Sequence, residues 1–243
     1  ADRLTASAEK LRRLMHYGQI LQSHALHFFH LSSPDLLFGF DSEPGRRNLV
    51  GIAAAYPEVA RQGVLLRKFG QEVIRLTAGK RVHGTGAIPG GVNRALSREE
   101  RNELLAEIYA IIGWSRQAVQ LVKRLHTADS AVYDSFGTCR SNILSLVGVD
   151  GTLDFYDGRL RARDAAGSTI VDGLPVQNYH QLIHEEVKPW SYMKFPFLAA
   201  LGPQQGWYKV GPLVRVQNCD SIPTPLAEAE RREFIDHGQG QLI

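Results

Sequence analysis

The chain has 243 residues, with 28 Lys and Arg against 25 Asp and Glu for a formal charge of +3, and 44% of its residues are hydrophobic. That composition excludes a disordered or low-complexity chain, and the absence of an apolar run of ~18 to 20 residues or of a signal-peptide pattern predicts no membrane span and a cytoplasmic location. Two distant cysteines, Cys139 and Cys219, exclude a disulfide framework, a four-cysteine zinc site and a self-contained iron–sulfur site.

Residues 7–31 hold the strongest helical pattern, with Leu11, Leu14, Gly18, Leu21, Ala25 and Phe28 three and four apart. Ser7 is a plausible cap, and Ser32-Ser33-Pro34 is expected to end the helix. A short helix is expected after Pro44. A third starts at Pro57, where the missing N–H costs nothing, and runs to Gly79 as its C-terminal stop. A glycine-rich loop, 79–96, follows. Ser97 and Glu100 form a capping box that opens a fourth long helix through Leu104, Ile108, Ile111 and Leu125.

From about residue 143 the texture changes to short β-type runs punctuated by Asp150-Gly151 and Asp157-Gly158. Ile143–Val149, Thr152–Tyr156, Arg159–Arg163 and Ser168–Val171 read as a small antiparallel meander. A helical piece over Asn178–Glu186, an extended Trp207–Val216 and a last helix from Thr224-Pro225 complete the chain. The fold class is α+β and predominantly helical, a long-helix bundle with a small antiparallel β-meander insert. Residues 1–140 form the helical core, 141–175 the meander, and 176–243 return to the core, all in one folded unit.

Four histidines, His16, His24, His27 and His30, fall within a sector of roughly 120° on the first helix at ~100° per residue. Their i, i+3, i+6 spacing departs from the i, i+4 pair that suits zinc, so the stripe reads as polar packing. The loop from Gly79 to Gly91 is rich in glycine and basic residues but is no phosphate cradle. Ile74 stands where a Walker loop needs glycine, and Gly84, Gly86 and Gly90 are too widely spaced for a dinucleotide turn. Its glycines imply a backbone that must approach another element closely. Lys194 and the apolar segment Trp190–Leu201 invite a nucleic-acid reading, which a charge of only +3 along the whole chain disfavours, and no nucleic-acid partner is expected. Neither cysteine has a Cys-x-x-Cys partner, so both read as inert thiols.

Several segments in combination carry a family resemblance: AEKLRRLMHYGQILQSHALHFFHL, LLRKFGQEVIRLTAGKRVHGTGAIPGGVNRALS, EEVKPWSYMKFPFL, KVGPLVRVQN and SIPTPLA. They resemble the large subunit of [NiFe] hydrogenases, most closely the soluble NAD-reducing class, over roughly residues 8–227. Val214 and Gln217 depart from the family's commoner residues. The resemblance implies a catalytic-type subunit whose complete form cleaves H2 at a Ni-Fe(CN)2CO centre. It also implies a small-subunit partner with iron–sulfur clusters and flavin-containing, NAD-reducing subunits.

In that family two Cys-x-x-Cys pairs hold the metal, and this sequence contains neither. The chain is therefore expected to be an internal fragment that by itself holds no metal in its first shell, binds no nickel–iron centre and oxidises no H2. What carries over is the surround. His83 in the glycine-rich loop and His24 on the first helix are the candidates for second-shell or proton-relay positions, since an imidazole near a metal can orient ligands and pass protons near neutral pH. The alternative readings are the quinone-site subunit of respiratory complex I, which also lacks the cysteine pairs, and a non-catalytic hydrogenase-like scaffold or assembly paralogue.

Overall fold

Thr5 opens helix α1 (Ala6–Leu26), its side-chain oxygen accepting the Ala8 N–H at 3.2 Å. The computed structural model describes residues 4–238. The expected stop at Ser32-Ser33-Pro34 does not occur. The chain instead passes through a π-helical stretch, His27–Ser32, into α2 (Ser33–Phe38). Pro34 falls in the first turn of α2, where an amide proton has no helical acceptor. The buried Ser33 hydroxyl donates back to the Phe29 carbonyl at 2.7 Å.

The chain divides into two compact units, Ala1–Asp134 and Ser135–Ile243. In the first, Asn48 caps α3 (Leu49–Ala55) through the Val50 and Gly51 amides, and Pro57 leads α4 (Pro57–Ala78). A hairpin of β1 (Ala87–Ile88) and β2 (Gly91–Val92) follows, and the Ser97–Glu100 capping box starts α5 (Arg98–Ala128), with α6 (Ser130–Ser135) after it.

Helices α1 and α4 run antiparallel. Their crossing is tight because a Cβ on Gly70 would lie 2.7 Å from both Cβ and N of Gln22 and 2.8 Å from the Gly18 carbonyl oxygen. Along this seam Ala25, Phe29, Leu66, Phe69, Val73 and Ile111 make one apolar cluster. Burying each large side chain there contributes about 1.5–3 kcal/mol.

The second unit is built on a four-stranded sheet of order β5-β4-β3-β8, comprising β3 (Asn142–Val147), β4 (Arg159–Arg163), β5 (Thr169–Leu174) and β8 (Tyr208–Lys209). Pairings β3–β4 and β4–β5 are antiparallel, and β3–β8 is parallel. Between β5 and β8 lies a separate antiparallel hairpin, β6 (Ile183–Val187) with β7 (Lys194–Leu198), followed by the one-turn α7 (Gly202–Gln205). Helices α8 (Pro212–Asn218) and α9 (Pro225–His237) close the described chain.

Three local expectations change. Thr152–Tyr156 is no strand, because the Asp150 and Asp154 carboxylates accept the amides of Thr152, Tyr156 and Asp157 and fold the segment into turns. Asn178–Glu186 is split between a 3-10 turn, Val176–Gln181, and β6. Trp207–Val216 is extended only at β8, since Pro212 presets the first turn of α8. Described residues 176–238 belong to the same compact unit as the strands of 141–175. The parallel β3–β8 pairing, which leaves no trace in periodicity, joins them.

A buried polar network centres the second unit. Arg161 donates to Asp172 at 2.9 Å, to Asp220 at 2.8 Å and to the Asn218 carbonyl at 3.0 Å. The Asn218 amide nitrogen in turn donates to the Ser145 hydroxyl and the Arg161 carbonyl, both at 2.8 Å. The aliphatic cluster of Leu144, Leu160, Ala162, Leu182 and Leu198 lies in the same unit.

Candidate functional site

The glycine-rich loop leaves α4 at Gly79, which holds a left-handed φ of +80° and returns its N–H to the Arg75 carbonyl. It then folds back onto the last turn of that helix. Gly84 and Gly86 are required there. A Cβ on Gly84 would meet the Ala78 Cβ at 2.4 Å, and one on Gly86 would meet the Thr77 carbonyl oxygen at 2.5 Å. The Thr85 amide donates to the Ala78 carbonyl, and the Asn93 side chain donates to the Thr85 carbonyl at 2.6 Å. The close backbone approach read from the glycines is thus made to the C-terminal turn of α4.

The hairpin tip is Pro89-Gly90, with Gly90 at φ +76°, as a type II turn requires. Arg12 on α1 clamps both sides of that turn. Its Nη2 donates to the Ile88 carbonyl at 2.6 Å and to the Gly91 carbonyl at 2.8 Å, and its Nε donates to the same Gly91 oxygen at 3.2 Å. Arg12 has no sequence signal of this role. It is one of several basic residues on α1, and the pairing spans 79 positions.

The loop's cations are partly answered by acids. Glu72 accepts from Arg75 at 2.8 Å and from Arg81 at 3.0 Å. The Arg75 hydrogen bond holds the Glu72 carboxyl below the usual range against an opposing effect of burial, and Arg81 adds to it. Arg94 bonds to Glu100, the same residue that completes the cap of α5. Two ion-pair groups thus hold the loop, Arg81 to the end of α4 through Glu72 and Arg94 to the start of α5 through Glu100.

His83 is exposed on this loop with φ +52°, and it is the one non-glycine residue with positive φ among the described residues. Holding an L-residue there costs about 1–2 kcal/mol, and such outliers cluster at functional sites. His24 is also exposed, with Nδ1 2.9 Å from the Ile20 carbonyl oxygen. It sits a dozen residues, about 18 Å of helix, beyond the Arg12 level that faces the loop. The structure therefore does not bring His24 and His83 together.

The histidine sector on α1 is also modified. The π-helical stretch starts at His27 and has a different angle per residue, so the 100° arithmetic does not extend to His30. His30 is half-buried with Nδ1 unpartnered. Burial lowers its pKa, a backbone contact with Ala25 opposes this, and the Arg67 charge lowers it further.

Elsewhere Lys194 pairs with Glu185 at 3.3 Å. The Ser191–Pro196 segment forms the turn and start of β7, where Tyr192 and Met193 are exposed. A groove of about 330 Å³ opens beside Phe29, Val59, Gln62, Gln117, Leu121 and Arg124, and the Gln62 amide crosses it to Gln117 at 2.7 Å.

The donor set does not fit a four-thiolate metal cage. The chain has two cysteines, of which Cys139 is exposed and Cys219 is buried with Sγ 3.6 Å from the Val216 carbonyl oxygen. Burial pushes the Cys219 thiol up, which favours the protonated form over the thiolate that binds metal.

No protein-family model matches the chain. Individual proteins do. The chain is 41% identical over 244 residues to the NAD-reducing hydrogenase HoxS subunit beta of Cupriavidus necator, covering 98% of this chain and 50% of that one. It is 40% identical over 229 residues to one of the subunits of the F420-non-reducing hydrogenase vhu of Methanocaldococcus jannaschii, covering 94% and 54%.

Among solved structures, an NAD+-reducing [NiFe]-hydrogenase in the H2-reduced state superposes with a TM-score of 0.94 at 51% identity, covering 98% of this chain and 53% of that one. A Ni-Fe-Se hydrogenase from D. vulgaris Hildenborough shares the fold at a TM-score of 0.69 and 19% identity, covering 98% and 56%. The chain spans about half the length of the curated relatives it matches. No helix among the described residues is long and apolar enough to cross a membrane. The chain is thus a relative of hydrogenase subunits and carries the [NiFe] hydrogenase fold over the half of their length that it spans.

Proposed function

We propose that these 243 residues are large-subunit sequence of a nickel–iron hydrogenase of the NAD-coupled class, acting in the cytoplasm. The observation that carries this reading is the agreement, over 98% of the chain, with an NAD+-reducing [NiFe]-hydrogenase at a TM-score of 0.94 and 51% identity. The partners it implies are a small subunit with iron–sulfur clusters and flavin-containing subunits that reduce NAD. Because the cysteines here do not fit the metal, the role assigned to this chain is the surround. It supplies the helical frame and the clamped loop from which His83 projects, and its own residues perform no step at nickel.

His83 is the stronger of the two relay candidates. It is exposed, it is held in a strained conformation by a loop fixed at both ends, and imidazole exchanges protons near neutral pH. His24 remains the weaker candidate, since its ring already faces the Ile20 carbonyl.

The test is a chimera in which this chain replaces the matched residues of the Cupriavidus beta subunit. H2-dependent NAD reduction is expected. Loss of activity in an assembled, nickel-loaded chimera would reject the reading. Within the active chimera, His83→Gln is expected to slow turnover by at least about tenfold and to alter its pH profile, while His24→Gln does less. The isolated 243-residue chain is expected to hold no stoichiometric nickel by elemental analysis, and nickel at one per chain would overturn the assignment of the surround role.

A further inference from the structure

Helix α5 is 31 residues long, yet Ile111 is its one buried residue. It turns two different apolar faces outward and inward. Leu104, Ile108, Ile111 and Trp114 pack on the core cluster. A second stripe faces solvent, with Leu105 52% exposed, Tyr109 84%, and Ile112 and Val119 each 40%. At 100° per residue, Tyr109, Ile112 and Val119 lie within about 40° of Leu105, and the stripe runs for about 21 Å.

Charge on α5 is sorted about this stripe. Arg98, Arg101 and Arg116 fall within about 40° of the Leu105 bearing, whereas Glu99, Glu100, Glu103 and Glu107 all lie about 120° or more away. A merely solvated helix face has no need of exposed aromatic and aliphatic residues, and one evolved for solubility mixes both signs. A seam of this kind has the pattern of a helix-docking surface, in which apolar knobs give affinity and flanking charge chooses the partner. Two copies of the chain would bring arginine against arginine, so self-pairing is disfavoured. The complement is an apolar helix edged with Asp and Glu.

We infer that the Leu105–Tyr109–Ile112–Val119 stripe of α5, edged by Arg98, Arg101 and Arg116, is the docking seam for an acidic-edged amphipathic helix. That helix comes from the part of a hydrogenase large subunit lying outside these 243 residues. The source rests on the functional reading above, and on relatives about twice as long as the chain. The occupant spans about four turns, or roughly 15 residues, to match the stripe.

The test places the photo-crosslinking analogue p-benzoylphenylalanine at position 109 of the chimera described above. Tyr109 is exposed enough for this exchange to leave the fold intact. Mass spectrometry is expected to find the crosslink within the same polypeptide, on an Asp- or Glu-edged helix outside the 243 residues. The double variant Arg101→Glu, Arg116→Glu is expected to reduce its yield by about tenfold or more, and Glu107→Lys to leave it within about twofold.

A crosslink to another subunit or to a second copy, or none in an active enzyme, overturns the inference. An inactive chimera that crosslinks as expected rejects the hydrogenase reading while the docking seam stands. A second measurement needs no chimera. The full 243-residue chain is titrated by fluorescence anisotropy with two synthetic leucine-seam helices, one edged with Glu and one with Lys. The Glu peptide is expected to bind at least about tenfold more tightly, and equal affinity or a preference for the Lys peptide overturns the inference.

Discussion

Replacing Gly70 by alanine tests whether the α1–α4 crossing depends on backbone contact. In isolation the change favours a helix by about 1 kcal/mol, since glycine is the poorer helix former. In this structure the new Cβ would stand 2.7 Å from the Gln22 backbone nitrogen and 2.8 Å from the Gly18 carbonyl oxygen. These are backbone atoms that no rotamer change can move. Restoring an ordinary separation of about 3.4 Å requires α1 to retreat by roughly 0.7 Å, and gaps of that size forfeit a quarter to a half of each dispersion contact they open. Overpacking of this kind costs about 1–3 kcal/mol.

The expected net effect of Gly70→Ala is therefore a loss of about 1 kcal/mol, reaching about 2 kcal/mol at the upper end of the overpacking cost. Gly113 on α5 is the control, because a Cβ there meets nothing within 4 Å. Gly113→Ala should gain about 0.5–1 kcal/mol. Urea unfolding followed by tryptophan fluorescence separates the units if Trp190 and Trp207 are changed to Phe. Trp114 then reports the first unit alone. A Gly70→Ala protein as stable as its parent, or a Gly113→Ala protein less stable than its parent, would refute the reasoning.

Arg12→Ala should release the hairpin tip, costing about 1–2 kcal/mol and raising hydrogen exchange at residues 84–93 more than elsewhere in the first unit. Arg161→Ala takes the guanidinium away from Asp172 and the Asn218 carbonyl and leaves Asp220 with the longer Arg163 contact at 3.3 Å. Since both aspartates are about half exposed, the expected loss is about 2 kcal/mol rather than the full value for a buried pair, measured by urea unfolding of the second unit. Acid should destabilise the first unit in two windows. Neutral His30 has its pKa lowered, so the unfolded chain binds the proton first and stability falls as pH drops below about 6.5. Glu58, brought from 4.5 to about 2 chiefly by the Arg61 hydrogen bond, gives up its contribution as pH falls from 4.5 towards 2. A His30→Gln protein should lose the upper window and keep the lower.

What the sequence made legible divides by the range of the interaction. Pro57, Gly79 and the Ser97–Glu100 box set helix ends because capping is decided within four residues. The need for the loop's glycines to approach another element closely was legible for the same reason. The element they approach was not. Nor was Arg12, whose acceptors lie 76 and 79 positions away. Helix α8 defied its β-branched composition because Pro212 and packing on β3 decide its state, and the Asp150 and Asp154 turns overrode a strand-like pattern. The π-helical stretch at His27–Ser32 has no signature in residue type, so a helical wheel drawn through it was bound to misplace His30.

The Arg161 network also has a consequence in time. Its partner Asp220 is 59 residues further along the chain. At a synthesis rate of about 5–20 residues per second, Arg161 leaves the ribosome roughly 3 to 12 s before Asp220 does. The β3–β4–β5 strands therefore emerge as a hairpin pair whose central cation lacks one of its carboxylates. Only the arrival of α8 and of Asp220, two residues beyond it, completes the network. A ribosome paused between those points would hold a sheet still lacking Asp220, so slow codons across residues 164–217 are expected to lower the yield of folded protein.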